Sequence, residues 1–413
     1  MTSGGNVFGG SAVTFSDVLG DKQFNLYAQS ISQYRTLSFS YINLSRRFNY
    51  AVQAYSQTLF FYGQMQNVFY DPIYSGIIDR DLAQATSTIQ GGSVFGIYPF
   101  NRYRRMELSG GLLQYKQSFN DPGLQQVSDQ YQQEVFGRNL FQNATFLPLA
   151  ATFVEETTVF REFGPLAGRT MRLSYETAPG FGGLASRQTL DGDVRKYTRI
   201  GTTGLLAMRV RGFRSWGDVP DFIYFGGNSE LRGYNYLEFI GSHTAFANAE
   251  LRFPLIEAML TPIGVLGGVR GVFFAGMGGA YFSGQSSSSG QCGTNLGSLT
   301  QQGAVAGTFQ TTRVGSFTWL KRGTTQECPI TYDLNSGLPV LGKPVPVSGL
   351  RLVDSRASYG LGLETFLLGF PVHFDWAWRT LFNKDWEDVL FAADGGSSKF
   401  RRPRFALWIG YDF

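Results

Sequence analysis

Residues 404–413 read Arg404-Phe-Ala-Leu-Trp-Ile-Gly-Tyr-Asp-Phe413. Phe405, Leu407, Ile409, Tyr411 and Phe413 fall on one face of an extended strand. Ala406, Trp408, Gly410 and Asp412 fall on the other. Period-two alternation that ends on a terminal aromatic suits a strand with one face on lipid and one in a lumen. A soluble protein seldom stops its chain on a long, flat apolar strand, because such an edge invites aggregation. A closed barrel removes the edge by pairing the last strand with the first.

The same alternation recurs upstream, in residues 37–41, 48–54, 106–110, 171–177, 206–212, 245–253 and 370–378. The polar sides carry charge of both signs. Arg172 and Glu176 share a face, as do Arg209 and Arg211, then Asn248, Glu250 and Arg252, then His373 and Asp375. Alternation alone does not separate a membrane barrel from a soluble sandwich. The apolar faces decide it: they are rich in Phe, Tyr, Trp and Leu and nearly free of Lys.

Composition agrees. The chain has 52 Gly, 37 Phe and 21 Tyr, but only 16% charged residues, against roughly 25% in soluble domains. No stretch approaches the ~18 apolar residues of a membrane helix. The net charge of +4 is spread out, with no stripe for nucleic acid. Met1-Thr-Ser-Gly-Gly lacks the basic start and apolar core of a secretory signal. An outer-membrane protein must be exported, so the chain is either a mature or recombinant form with its signal removed or, as preferred here, one cut from a longer parent.

Connections come in two lengths. Short ones fall at 19–22, 201–204, 261–264 and 368–371; long ones cover about 64–90, 120–145, 218–241, 285–351 and 380–403. Tight periplasmic turns alternating with long outer loops are how outer-membrane barrels are built. Counting back from Phe413 gives about fifteen strands, with a poor sixteenth near 6–10; an even number is expected. Residues 79–89 and 127–136 each read as a short loop helix. The stretch from 285 opens Gly-Gln-Ser-Ser-Ser-Ser-Gly, a flexible-loop composition. Cys292 and Cys328 lie in that loop and are expected to pair in an exported protein. No linker divides residues 1–413, which read as one domain.

Residues 225–234 read Phe-Gly-Gly-Asn-Ser-Glu-Leu-Arg-Gly-Tyr. Gly241, then Ala249-Glu-Leu-Arg-Phe-Pro-Leu255, then Val272-Phe-Phe-Ala-Gly-Met-Gly-Gly279 follow. In this order they resemble the C-terminal barrel of the bacterial surface antigen superfamily, which includes the BamA- and TamA-like outer-membrane assembly factors. Residues 356–364 and 371–375 look like that family's fourteenth and fifteenth strands. Residues 15–21 resemble the first turns of members with an upstream propeller. The resemblance implies that the long loop folds into the lumen, where Arg232, flanked by Gly233 and Tyr234, pairs with Glu250. A guanidinium fork suits a carboxylate in such a place. The family usually has an Asp where this chain has Ala275, so either a weaker lock or another acid, such as Glu364, is expected. Neither a propeller nor the POTRA modules that receive client chains are present in this sequence.

Other sites weigh less. His373 and Asp375 read as part of a lumen hydrogen-bond network, since no serine is placed to complete a triad. No Cys/His cluster has metal spacing, and no phosphate cradle lies between strand and helix. Asp71, Asp79 and Asp81 read as solvated loop charges before a calcium site. The inward charges Glu107, Arg172, Glu176, Arg209, Arg211, Glu250, Arg252 and Glu364 either line a conducting pore or pair off and close it with the long loop. Gly410 would weaken pairing at the end of the last strand, where Tyr411 and Phe413 complete the terminal signal.

The expected fold is all-β: a transmembrane antiparallel barrel of about sixteen strands in a bacterial outer membrane, with a long loop folded into its lumen. The function implied by the resemblance is insertion or translocation of outer-membrane proteins, with lipids and unfolded clients as partners. A passive pore is the alternative, and an outer-membrane hydrolase a weaker third. No enzyme activity, cofactor or metal is expected, and the chain is expected to be monomeric.

Overall fold

The computed structural model describes residues 2–3, 6–31, 34–62, 69, 78–79, 82–161, 164–201, 203–261, 264–282, 317–332, 339–367 and 370–410. Among these, fifteen strands have six residues or more. In order they are β1 (Asn6–Ser16), β2 (Lys22–Ile31), β3 (Tyr34–Asn43), β4 (Asn49–Tyr62), β5 (Gln84–Pro99), β6 (Arg104–Phe119), β7 (Leu149–Glu156) and β8 (Gly164–Ala178). Then come β9 (Arg187–Ile200), β10 (Gly204–Gly217), β11 (His243–Thr261), β12 (Gly264–Tyr281), β13 (Arg356–Leu367), β14 (Phe370–Thr380) and β15 (Arg404–Ile409). Each alternating segment read from the sequence lies in or overlaps one of them. Residues 6–10 are part of a full strand, and the terminal strand is described as far as Gly410. Tyr411 and Phe413 lie outside the described residues.

Contacts divide the chain into two compact units. The first comprises Met1–Glu155, Arg172–Asp191 and Ser215–Asp221; the second Glu156–Met171, Gly192–Arg214 and Phe222–Phe413.

In the first unit β1 to β6 form an antiparallel meander. One register row runs Thr14, Asn25, Ser40, Gln53, Ser93. These side chains bond along the row: Thr14 Oγ1 donates to Asn25 Oδ1 (2.9 Å), Asn25 Nδ2 to Ser40 Oγ (3.3 Å) and Gln53 Nε2 to Ser93 Oγ (3.0 Å). The opposite face carries Leu26, Leu37, Phe39, Val52, Val94 and Leu112, all exposed. A soluble sheet would bury those residues. Each would forgo roughly 1.5–3 kcal/mol by standing in water, and lipid removes that cost.

The connection from β6 to β7 holds α1 (Pro122–Phe136), which covers the helix expected at 127–136. Asp121 caps it by accepting from Leu124 N (2.7 Å), and Gly137 ends it at φ 67°. Its Tyr131 and Phe136 are buried, and nearby Phe69 stacks on Phe141 at 4.7 Å. The helix expected at 79–89 is corrected: Gln84 to Ile89 begin β5, with Ala85 opposite Phe119 and Ser87 opposite Gln117. β-branched Thr86 and Thr88 alternate there and favour the pleat.

In the second unit β11 to β15 form a further antiparallel meander, and β10 joins it through Leu205↔Arg252 to Arg214↔His243. The polarity is inverted again. Glu250 and Arg252 are 2% exposed, whereas Phe405, Leu407 and Ile409 are 57%, 58% and 67% exposed.

Within the long connection from β12 to β13, residues 320–332 pair with residues 339–352 in three short rungs of a two-stranded ribbon. It packs against α2 (Lys384–Leu390) and α3 (Gly396–Phe400) around Val347, Leu352, Trp386, Phe391 and Phe400. Trp386 Nε1 donates to Leu352 O (2.7 Å).

Candidate functional site: a loop fastened to a charged sheet face

The stem of the loop between β10 and β11 is a small hairpin, with Ile223–Phe225 paired to Phe239–Gly241. Phe225 stacks on Phe239 (4.7 Å) and Phe246 (5.1 Å), and Leu231, Tyr234 and Ala280 complete a buried cluster. Glycine opens the wall beneath. A Cβ at Gly278 of β12 would sit 2.9 Å from the Phe225 ring. Gly233 needs φ 86°, and a Cβ there would meet Ala377 Cβ at 2.9 Å. The Tyr234 hydroxyl donates to Ala357 O (3.2 Å), and burial pushes that phenol's pKa up.

Arg232 is buried against the polar faces of β11 and β14. Its Nη2 donates to Glu250 Oε1 (2.6 Å), its Nη1 to Asp375 Oδ1 (3.1 Å) and its Nε to Asn228 O (3.1 Å). The guanidinium lies over the Phe274 ring at 4.6 Å. Glu250 Oε2 accepts both Arg252 Nε (3.0 Å) and Nη2 (2.7 Å). Two arginines thus face two carboxylates, which limits the cost of burying charge. The second acid on Arg232 is Asp375 rather than the expected Glu364, which meets Arg270 instead. Ala275 itself lies on the exposed face with Phe273 and Met277, so an acid at 275 would point away from Arg232.

The last strand joins this cluster. Trp408 Nε1 donates to Asp375 Oδ2 (2.7 Å). His373 stacks on Trp408 at 3.7 Å and donates from Nε2 to Gly410 O (2.8 Å). Arg404 Nη1 reaches Gly233 O (3.3 Å) and Asn235 Oδ1 (3.2 Å), beside a cavity of about 140 Å³. Gly410 N still donates to Pro371 O (3.1 Å), so the backbone stays bonded at that glycine.

Most other inward charges have partners. Glu107 pairs with Arg105 (2.6 Å) and Glu176 with Arg187 (2.9 Å). Arg209 and Arg195 share Asp193 (2.8 Å each), and Arg211 lies 3.9 Å from Glu230 of the loop. Glu364 meets Arg270 (2.9 Å) and lies 3.4 Å from His373. Arg172 shares the face of Glu176 and is exposed. Asp193 was missed from the sequence; its position after Gly192 in a strand of mixed charges carries no special signal. Asp71, Asp81 and Cys292 lie outside the described residues, and no acidic or Cys/His cluster able to hold a metal occurs among the described ones.

Comparison with solved structures finds a similar fold in BamA from Haemophilus ducreyi lacking POTRA domains 1–3. The TM-score is 0.52 at 11% identity, covering 91% of this chain and 64% of that chain. CdiB from Acinetobacter baumannii gives a TM-score of 0.43 at 10% identity, covering 97% of this chain and 56% of that one. The chain therefore spans about two thirds, or less, of the structures it resembles. No curated protein matches it. The Omp85 superfamily domain matches residues 22–413. The chain belongs to the Omp85 superfamily: it is a transmembrane antiparallel β-barrel of the bacterial outer membrane.

Proposed function

We propose that this barrel inserts or translocates outer-membrane proteins, with unfolded barrel polypeptides as its clients and membrane lipids as its surroundings. One observation carries the reading: the loop bearing Arg232 and the last strand bearing Trp408 are fastened to one carboxylate, Asp375. A last strand that receives a client by β-augmentation is loaded along its backbone edge. Here its neighbours include the loop, so the two elements respond together. A passive pore has no need of that linkage, and the pairing of the inward charges supports a closed resting interior. The test is insertion of a barrel client into liposomes containing the full-length protein. Faster insertion than in empty liposomes, lost in Asp375→Ala, is the expected result. Insertion at the empty-liposome rate, together with large steady conductance unchanged by Arg232→Ala, would favour the pore.

A further inference from the structure

The outward side of the first unit changes chemistry abruptly near its long-loop end. Phe39, Ala54, Gly92 and Leu112 share one outward row. The next outward row runs Leu37, Ser56, Gln90, Gln114: it starts apolar at Leu37 and is polar from Ser56 on, with the two carboxamides hydrogen-bonded. The row beyond holds Thr58, Thr88 and Lys116. Arg35 continues it one step past the Thr36–Gln57 pair. Thr58 and Thr88 share a hydroxyl hydrogen bond of 2.9 Å.

Arg35 and Lys116 are exposed, and neither makes an ion pair among the described residues. That sets them apart from Arg105 in the same unit, which is paired with Glu107. Neither polar row contains an acid. Three strand spacings of about 4.8 Å separate the two cations across the sheet, roughly 14 Å.

We infer that this patch seats the phosphorylated sugar headgroup of an outer-leaflet glycolipid. The Phe39–Leu112 row meets acyl chains, so the next rows along the same face stand at headgroup depth. Arginine and lysine suit phosphate oxygens. Carboxamides and hydroxyls offer both donors and acceptors to sugar hydroxyls. The spacing of the cations fits two phosphates on one saccharide better than one small anion.

The test is lipid retention by the full-length chain, purified from vesicles mixing lipopolysaccharide with phosphatidylglycerol and measured by native mass spectrometry. The wild type should retain lipopolysaccharide selectively. Arg35→Ala/Lys116→Ala should lower retention about tenfold, as expected for losing charge-assisted contacts, while Lys116→Arg keeps it. Heat-modifiable gel mobility shows that each variant is folded. Equal retention by the double variant would overturn the inference. So would equal preference for phosphatidylglycerol, or displacement of the glycolipid by excess inorganic phosphate, which would mark a generic anion site.

Discussion

Arg232 and Trp408 are held by one carboxylate: Asp375 accepts Arg232 on Oδ1 and the Trp408 indole on Oδ2. The first residue lies on a long loop, the second on the last strand, and the acid on β14, which pairs with that strand. Glu250 supplies the other half of the Arg232 fork, so neither acid holds the loop alone.

Asp375→Asn should therefore loosen the loop without unfolding the barrel. Removing one partner of a buried pair costs roughly 3–5 kcal/mol, and Glu250 offsets part of that. The measurement is limited proteolysis in detergent. Cleavage within residues 226–238 should appear in the variant before any cleavage of the strands. Cleavage at the wild-type rate would contradict the shared-carboxylate account.

Gly362→Ala should reproduce part of this effect from the backbone side. A Cβ there would lie 2.5 Å from Asp375 Oδ1 and 3.6 Å from Arg232 Nη1. Overpacking of this kind costs roughly 1–3 kcal/mol. Gly9→Ala is the control, since nothing lies within 4 Å of its Cβ. Urea titrations should separate the two variants.

Glu387→Gln should destabilise the outer helical segment alone. Glu387 is fully buried and accepts Leu381 N (2.7 Å) and Arg401 through Nη2 (3.1 Å) and Nε. Its bond to Arg401 raises that guanidinium's pKa. Because Arg401 is partly exposed, the loss should be about 1–2 kcal/mol. Hydrogen exchange should quicken in residues 384–400 and remain slow in β13 and β14.

The loop cysteines should resist alkylation until reduced. Cys328 has no free thiol, and a non-reducing peptide map should join it to the peptide containing Cys292. Labelling of either residue by iodoacetamide in unreduced, denatured protein would refute the pairing.

The strands were legible because a barrel wall repeats one rule: out, in, out, in. The stretch 245–253 shows it, with Glu250 and Arg252 buried between exposed Ala249 and Leu251. Arg232 and Glu250 were reachable through the family resemblance. Asp375 as the second acid was not, because 143 residues separate it from Arg232 and only strand register brings them together. The helix read at 79–89 failed where local propensity met a partner strand: Thr86 to Ile89 pair with β6. The ribbon of residues 320–332 and 339–352 was hidden because its three-residue rungs are too short to show periodicity.

The exposed apolar faces meet lipid, and the polar faces do not. Nitroxide labels on cysteines placed singly at Leu37, Phe39, Leu407, Ser40 and Gln53, with both native cysteines replaced by alanine, test it in lipid bilayers. Labels at Leu37, Phe39 and Leu407 should relax faster with oxygen than with a water-soluble nickel chelate, and labels at Ser40 and Gln53 the reverse. Chelate access at Leu37, Phe39 and Leu407 equal to that at Ser40 would contradict the account.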